Sequence, residues 1–490
     1  MNTWTVMIYM AGDNTLAGES IWALTEILTA DLTEGVEVIA LFDTSPPEIP
    51  NRRFVFTKST NQPILPVGLP LEKIGKKYEP QIDVSKTQMT SSGTAQVTKK
   101  ETLKSASDHR LLQRFVEDCI KEHPAEKYLL VLSGHGSGAV GDFLTSERPA
   151  GSLSIPDLNK ALKEIKKKLK GKKIDILGMD SCLMSMAEVA YELRDSVGLL
   201  VGSEGFAPET GWPYRQILSA LNGDAMSVAT AVVDRYIGYY RNFASAGLSV
   251  DQAVCDLTKI DAQTETYPLK ETKVDPLTAA IGALADLMTK NLAKPRVQDA
   301  IILAHLKAQS YKSEQYTDLW DFCDWLERKC PEPTIRTKCA KVRAEIDKVV
   351  GGNADYYGPA FQHSHGLSVF FPWKDSGSLQ DYCKKSAFAK KSGWGEFLLK
   401  YVEATQAERR GESRDGRREF NPKVLEPVEI SATESPLVIP VLSDFPVDSR
   451  QPPGSDKQPP GSDKGLSKQG AMKNPPRYFL RNIRDKKAAR

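Results

Sequence analysis

The chain has 490 residues and a mass of 54.1 kDa, which allows about two to four domains or one large domain with a tail. Hydrophobic residues make up 40% and charged residues 26%, ordinary globular usage that excludes a wholly disordered or fibrous chain. Lys and Arg number 65 against 63 Asp and Glu, so a net charge of +2 argues against a strongly charged partner for the whole chain, nucleic acid included. No apolar run approaches the ~20 residues of a membrane span.

The opening segment, MNTWTVMIYMAG, has neither a basic n-region nor a small-residue cleavage site, and is expected to be a first strand rather than a signal peptide. The seven cysteines are odd in number and widely spaced, with no CxxC pair, which suggests neither a disulfide framework nor a zinc site. A reducing, cytoplasmic location is the expectation.

Short β-branched and aromatic runs at 5–11, 36–43, 127–134, 173–180, 198–204 and 366–372 have the length and content of buried parallel strands. Between most of them lie helical patterns, SIWALTEILTADL, HRLLQRFVEDCIKE, IPDLNKALKEIKKKL and LMSMAEVAYEL. Alternation at this spacing implies an α/β sandwich with a mostly parallel central sheet flanked by helices. In such sheets, ligands sit beyond the carboxyl ends of the strands. The stretch 44–105, rich in Pro, Thr, Ser and Lys, reads as a hairpin or long surface excursion. Helical additions follow at 277–288, 316–330 and 339–350, and the run at 366–372 is expected to complete the sheet after them.

Composition changes near residue 405. Beyond it come 11 of the 30 prolines, the charged string AERRGESRDGRRE and the repeat QPPGSDK at 451–457 and 458–464. Such chain buries too little apolar surface to offset its ordering entropy, so 1–405 is expected to be one catalytic unit and 406–490 a disordered tail. Residues 468–490 carry eight basic residues and one acidic one, so the near-neutral total combines an acidic body with a basic end. Within the tail, 424–442 and 477–483 are apolar enough to engage a protein partner.

Two strand ends carry the chemistry. The run at 127–134 leads into SGHGSG, placing His135 between glycines, and the run at 173–180 leads into GMDSCLM, placing Cys182 at the start of the next helical pattern. Both project from one edge of the sheet. A cysteine at a helix N-terminus is favoured as thiolate, and the amides of Gly136 and Cys182 are placed to stabilise an oxyanion. The 47-residue separation of His135 and Cys182 is close to the roughly 50 of caspases. For the other cysteines the core reading dominates.

The combination WTVMIYMAGDN, EKYLLVLSGHGSG, KIDILGMDSCLMSMAEVAYEL, GSEGFAPETGWPY and GLSVFFP resembles the clostripain family of cysteine peptidases, in that family's order and over most of 1–405. The resemblance implies a caspase-like three-layer sandwich, a dyad carried onto His135 and Cys182, and cleavage after Arg or Lys. It departs from caspases proper, since DSCLM stands in place of QACxG. Asp180 lies two residues before Cys182, where its carboxylate would line a pocket for a basic side chain; the alternative is that Asp180 or Ser181 caps the following helix.

Asp13, in AGDNTL, either orients His135 or closes its strand in an Asx turn. Glu204 and Glu209 read as recognition groups or as solvated loop charges, HSHG at 363–366 as a structural pair, and IKKKLKGKK at 165–173 as a solvated helix face. Some relatives require calcium, but no EF-hand pattern occurs, and no cofactor is expected. Cleavage between the His and Cys segments activates many relatives, yet Arg148 precedes Pro149, a bond most proteases resist. The expectation is therefore a cysteine endopeptidase acting after Arg or Lys. The alternatives are a silent caspase-like scaffold that binds a partner through its tail, and a non-peptidase acyl transferase.

Overall fold

The structure, a computed structural model, describes residues 2–43, 51–58, 75–90, 93–243, 248–260, 265–267, 272–311, 315–375 and 377–409. Among the described residues nine strands form the central sheet: β1 (Asn2–Ala11), β2 (Val36–Asp43), β3 (Arg52–Phe56), β4 (Lys76–Lys77), β5 (Ala125–Ser133), β6 (Ile174–Asp180), β7 (Val197–Gly202), β8 (Val250–Asp256) and β9 (Ala354–Tyr357). Their spatial order is β9, β8, β7, β6, β5, β1, β2, β3, β4. The five inner strands, β7 to β2, run parallel, and two further strands at each side add antiparallel.

In β1, Val6, Ile8 and Met10 enter one core while Met7, Tyr9 and Ala11 enter the other, as the two-residue period of a strand requires. Both sets are buried because helices cover both faces. In chain order the first six helices are α1 (Ala17–Leu28), α2 (His109–Glu122), α3 (Ile155–Lys168), α4 (Ala187–Leu193), α5 (Tyr214–Leu218) and α6 (Ala225–Phe243). Side chains of α1, α5 and α6 fill the first core. Those of α2, α3 and α4, with the helical residues 276–350, fill the second. The result is the α/β sandwich expected from the alternation of patterns.

Local chemistry explains the helix limits. The Asp108 carboxylate accepts from the Arg110 amide at the start of α2, and Ser154 accepts from the Asp157 amide at the start of α3, with Pro156 in its first turn. Leu158, Ala161, Leu162 and Ile165 then form the buried stripe of α3, while Lys167 and Lys168 stay exposed. Lys167 and Lys168 thus lie on a solvated helix face, whereas Lys166 and Lys173 donate to the Asp195 and Arg194 carbonyls.

Three expectations change. The run at 366–372 does not complete the main sheet: Ser368–Phe370 pairs with Tyr316–Asp318 in a separate three-stranded sheet, and β8 and β9 form the edge instead. Period alone cannot tell one buried apolar strand from another, and Val369, Phe370 and Phe371 are buried in either arrangement. Within 44–105, Arg52–Phe56 and Lys76–Lys77 join the main sheet, and only Gln81–Thr90 with Gly93–Thr102 forms the hairpin. The helix after Cys182 starts late, at Ala187.

The described elements belong almost wholly to a compact unit that contains Met1–Ala407; a second unit, Glu408–Arg477, lies nearly all outside the described residues. The last helix, Trp394–Arg409, crosses the expected boundary at 405 and buries Trp394, Phe397, Leu398, Tyr401 and Val402. The remainder of the expected tail, with its repeat and basic end, also lies outside the described residues.

Candidate active site

Parallel register gathers three loops at one edge of the sheet. Met10 of β1 lies beside Ser133 of β5, and Ser133 lies beside Asp180 of β6. The chain therefore leaves these strands at one level, into Gly12–Thr15, Gly134–Gly138 and Ser181–Ser185. The Gly134 amide donates to the Asp180 carbonyl at 3.2 Å, continuing the sheet by one bond past its end.

Gly136 shows how close the second and third loops come. A Cβ on Gly136 would stand 2.3 Å from the Cys182 carbonyl oxygen and 3.1 Å from the Cys182 amide nitrogen. Only a residue without a side chain lets the backbone beside His135 touch the backbone at Cys182. The sequence-identified His135, Gly136, Asp180 and Cys182 thus belong to adjoining loops.

Cys182 sits in a turn rather than at a helix N-terminus. Leu183 adopts φ +64°, and the amides of Leu183, Met184 and Ser185 donate to Gly205 O and Ser203 O at 3.0, 2.9 and 2.9 Å, which diverts them from any helical ladder. The macrodipole argument for a thiolate therefore falls away, and so does the capping role for Asp180 or Ser181: the residue before α4 is Met186, with no side-chain cap. The thiol has local backbone partners instead. The Ala207 amide donates to Cys182 Sγ at 3.3 Å, and the thiol lies 3.6 Å from the Ala207 carbonyl. The sulfur thus both accepts from and donates to the Ala207 backbone. Cys182 is 1% exposed.

His135 is tied on both sides. Its carbonyl accepts from the Leu144 amide at 2.9 Å, and its Nε2 lies 3.0 Å from Thr15 Oγ1. Asp13 neither orients His135 nor makes the Asx turn. Its carboxylate accepts from Ser146 Oγ at 3.1 Å, from the Arg148 amide at 2.7 Å, and from Arg148 Nε and Nη2 at 3.2 and 3.0 Å. The Asx turn belongs to Asn14, whose Oδ1 accepts from the Leu16 amide at 2.9 Å.

Asp180 is 2% exposed and accepts hydrogen bonds from Ser133 Oγ at 2.8 Å, the Trp212 amide at 3.0 Å and Tyr214 OH at 2.8 Å. It lines a narrow cleft together with Ser133, Gly134, Glu209, Gly211 and Glu19 of α1. A Cβ on Gly211, whose φ is +65°, would press within 2.7 Å of the Asp180 carboxylate. Glu19, Asp180 and Glu209 line this space, and among the described residues no basic one does. Sequence reading set Glu209 aside and did not reach Glu19, Thr15 or Ala207, because they converge from segments far apart in the chain.

Glu204 has a different part. It is fully buried, and Oε2 accepts from the Gly366 amide at 2.6 Å. Burial and the neighbouring Asp318 and Asp251 hold its carboxyl well above the usual range, so it ties the 203–205 segment to the 365–366 turn rather than facing a ligand. His365 stacks on Trp320 at 4.2 Å and its amide donates to Asp318, a structural role. Among the described residues no group of three or more His, Cys, Asp or Glu side chains is placed to hold a metal ion.

Comparison with known proteins adds to this geometry. The chain is similar to clostripain of Hathewaya histolytica, 25% identical over 228 residues, which is 42% of this chain and 38% of that protein. In three dimensions it is similar to a secreted C11 cysteine protease of Bacteroides thetaiotaomicron in complex with an irreversible peptide inhibitor. The TM-score is 0.55 at 15% identity, covering 80% of this chain and 100% of the other. An inactive zymogen C11 protease of Parabacteroides distasonis gives 0.51 at 18% identity, covering 80% and 99%. These solved structures share the fold. The profile of the Clostripain family, peptidase C11, matches residues 8–401, four-fifths of the chain, and the protein belongs to that family of cysteine peptidases.

Proposed function

We propose that the protein is a cysteine endopeptidase that cleaves after Arg or Lys, with Cys182 as nucleophile and His135 as its acid and base. The observation that carries the specificity is the pocket lined by Glu19, Asp180 and Glu209, reached from the strand ends that also lead to His135 and Cys182. A guanidinium or ammonium entering it meets the buried Asp180 and the half-buried Glu19 and Glu209, with which it forms charge-assisted hydrogen bonds.

Cys182 Sγ attacks the carbonyl carbon after the basic residue, and His135 takes the thiol proton and passes it to the departing amine. The amides of Gly136 and Cys182 hold the oxyanion; one such donor is worth about 3 kcal/mol of transition-state stabilisation. Water then hydrolyses the acyl-enzyme. No cofactor enters these steps. Cys182 is 1% exposed with Ala207 backbone at its sulfur, and this burial also supports a second reading, a scaffold whose dyad is not used.

A peptidyl chloromethyl ketone ending in Arg, followed by mass mapping, separates the two. A covalent adduct on Cys182 supports the peptidase. An unlabelled Cys182 in folded protein, at reagent concentrations that saturate other basic-specific cysteine peptidases, supports the scaffold.

All seven cysteines are free thiols, which suits the proposed reducing, cytoplasmic location. Cell fractionation tests it, since recovery from the culture medium would contradict it.

A further inference from the structure

The loop after β1 is held by its side chains in a way the dyad alone does not require. Asp13 grips the Ser146–Arg148 segment through four hydrogen bonds. Asn14 Nδ2 donates to the Ala11 carbonyl at 2.9 Å and to the Thr145 carbonyl at 2.7 Å, while its Oδ1 takes the Leu16 amide. The His135 carbonyl is bound by Leu144, in the strand Phe143–Glu147 that opens the same segment. Thr15 and His135 are therefore both fastened to one short segment, and the distance between their side chains, 3.0 Å, is set by that frame.

We infer that Thr15 is the positioning residue for His135: its hydroxyl oxygen accepts the Nε2–H and so fixes the tautomer in which Nδ1 is the nitrogen that exchanges protons. This rests on the dyad proposed above. Nδ1 accepts the Cys182 thiol proton, the imidazolium donates that proton from Nδ1 to the departing amine, and the Nε2–H stays on Thr15 throughout. The hydrogen bond is stronger when the ring is cationic, because a charged donor faces a neutral acceptor. A β-branched side chain suits the task, since few χ1 rotamers compete with the one that reaches the ring. The charged groups on the surrounding elements are Asp13 and Arg148, which pair with each other, Asp142 and Glu147 at the two ends of the framing strand, and the cleft-lining Glu19, Asp180 and Glu209.

Thr15 is exposed, so Thr15→Val removes the hydroxyl with its shape kept and the fold intact, and Thr15→Ser restores the acceptor. With an Arg reporter peptide, Thr15→Val is expected to lower kcat roughly tenfold with KM changed less than about twofold. The acid limb of its pH profile, set by protonation of His135, is expected to move to lower pH, and Thr15→Ser to recover most of the rate. An unchanged kcat and pH profile in Thr15→Val would overturn the inference. A readout independent of turnover is the ¹⁵N spectrum of His135 in the Cys182→Ala protein. Nε2–H is expected to dominate, with Nδ1–H gaining when Thr15→Val is added; Nδ1–H dominating before that change overturns the inference. Failure of the dyad itself has a different signature, reporter turnover that survives Cys182→Ala.

Discussion

At the scale of single residues, the site depends on backbone approach as much as on reactive groups. Gly136→Ala forces a methyl against the Cys182 carbonyl, where the nearest atom is backbone and cannot rotate away. It is expected to cost about 1 to 3 kcal/mol of stability and to remove reporter turnover, as denaturant titration and a rate assay would show. In the pocket, Glu209→Gln keeps the size of the side chain and removes one of three charges. The kcat/KM for an Arg reporter is expected to fall roughly tenfold. The fall should be much smaller for an uncharged residue at the same position, and an equal fall for both would mean that Glu209 supports structure instead. Glu26 of α1 offers a titration test. It accepts from the Tyr214 amide at 3.0 Å, and burial raises its carboxyl to about 7. A carboxyl raised on folding stabilises the protein fully below its unfolded value of 4.5, and that contribution is lost as pH climbs through about 7. Glu26→Gln, which keeps an acceptor for Tyr214, should therefore gain stability relative to wild type between pH 5 and pH 8, measured by urea midpoints. A constant difference over that range would contradict the buried, protonated Glu26.

At the scale of elements, the sequence was most legible where a period and a punctuation mark agree. In α2 the Asp108 cap and the buried stripe from Leu111 to Cys119 point to the same limits, and in the inner strands five apolar runs stop at Gly, Ser or Asp where loops begin. His135 and Cys182 were readable for the same reason, because each follows a strand end. What sequence pattern could not supply is the partner of a strand. Val250–Asp256 carries buried Asp251 and Gln252, and Asp251 earns no place in an apolar pattern although it receives the amides of Glu204 and Gly205. Similarly, the LMSMAEV stretch reads as helix from side chains alone. The hydrogen bonds from its first amides to Ser203 and Gly205 exist only after β7 is in place, so the turn at Cys182 is a tertiary feature.

At the scale of the whole molecule, the opening charge balance gains a location. The acidic pocket lies at the carboxyl ends of the inner strands, between loops that β1, β5 and β6 deliver at one level. The final helix is part of this body, since Trp394, Phe397 and Tyr401 pack with Phe371. A chain ended before Trp394 is expected to lose cooperative unfolding, whereas one ended after Arg409 keeps every described core residue. Thermal melting of the two truncations checks this. The central claim, that a Cys182-dependent peptidase reads a basic residue through three carboxylates, is tested most directly by kcat/KM for otherwise identical Arg, Lys and Asp reporter peptides with wild type and Cys182→Ala. The account predicts turnover of the Arg and Lys peptides by wild type, little of the Asp peptide, and a loss of at least about 10³-fold in the variant. Preference for Asp, or turnover that survives in Cys182→Ala, would contradict it.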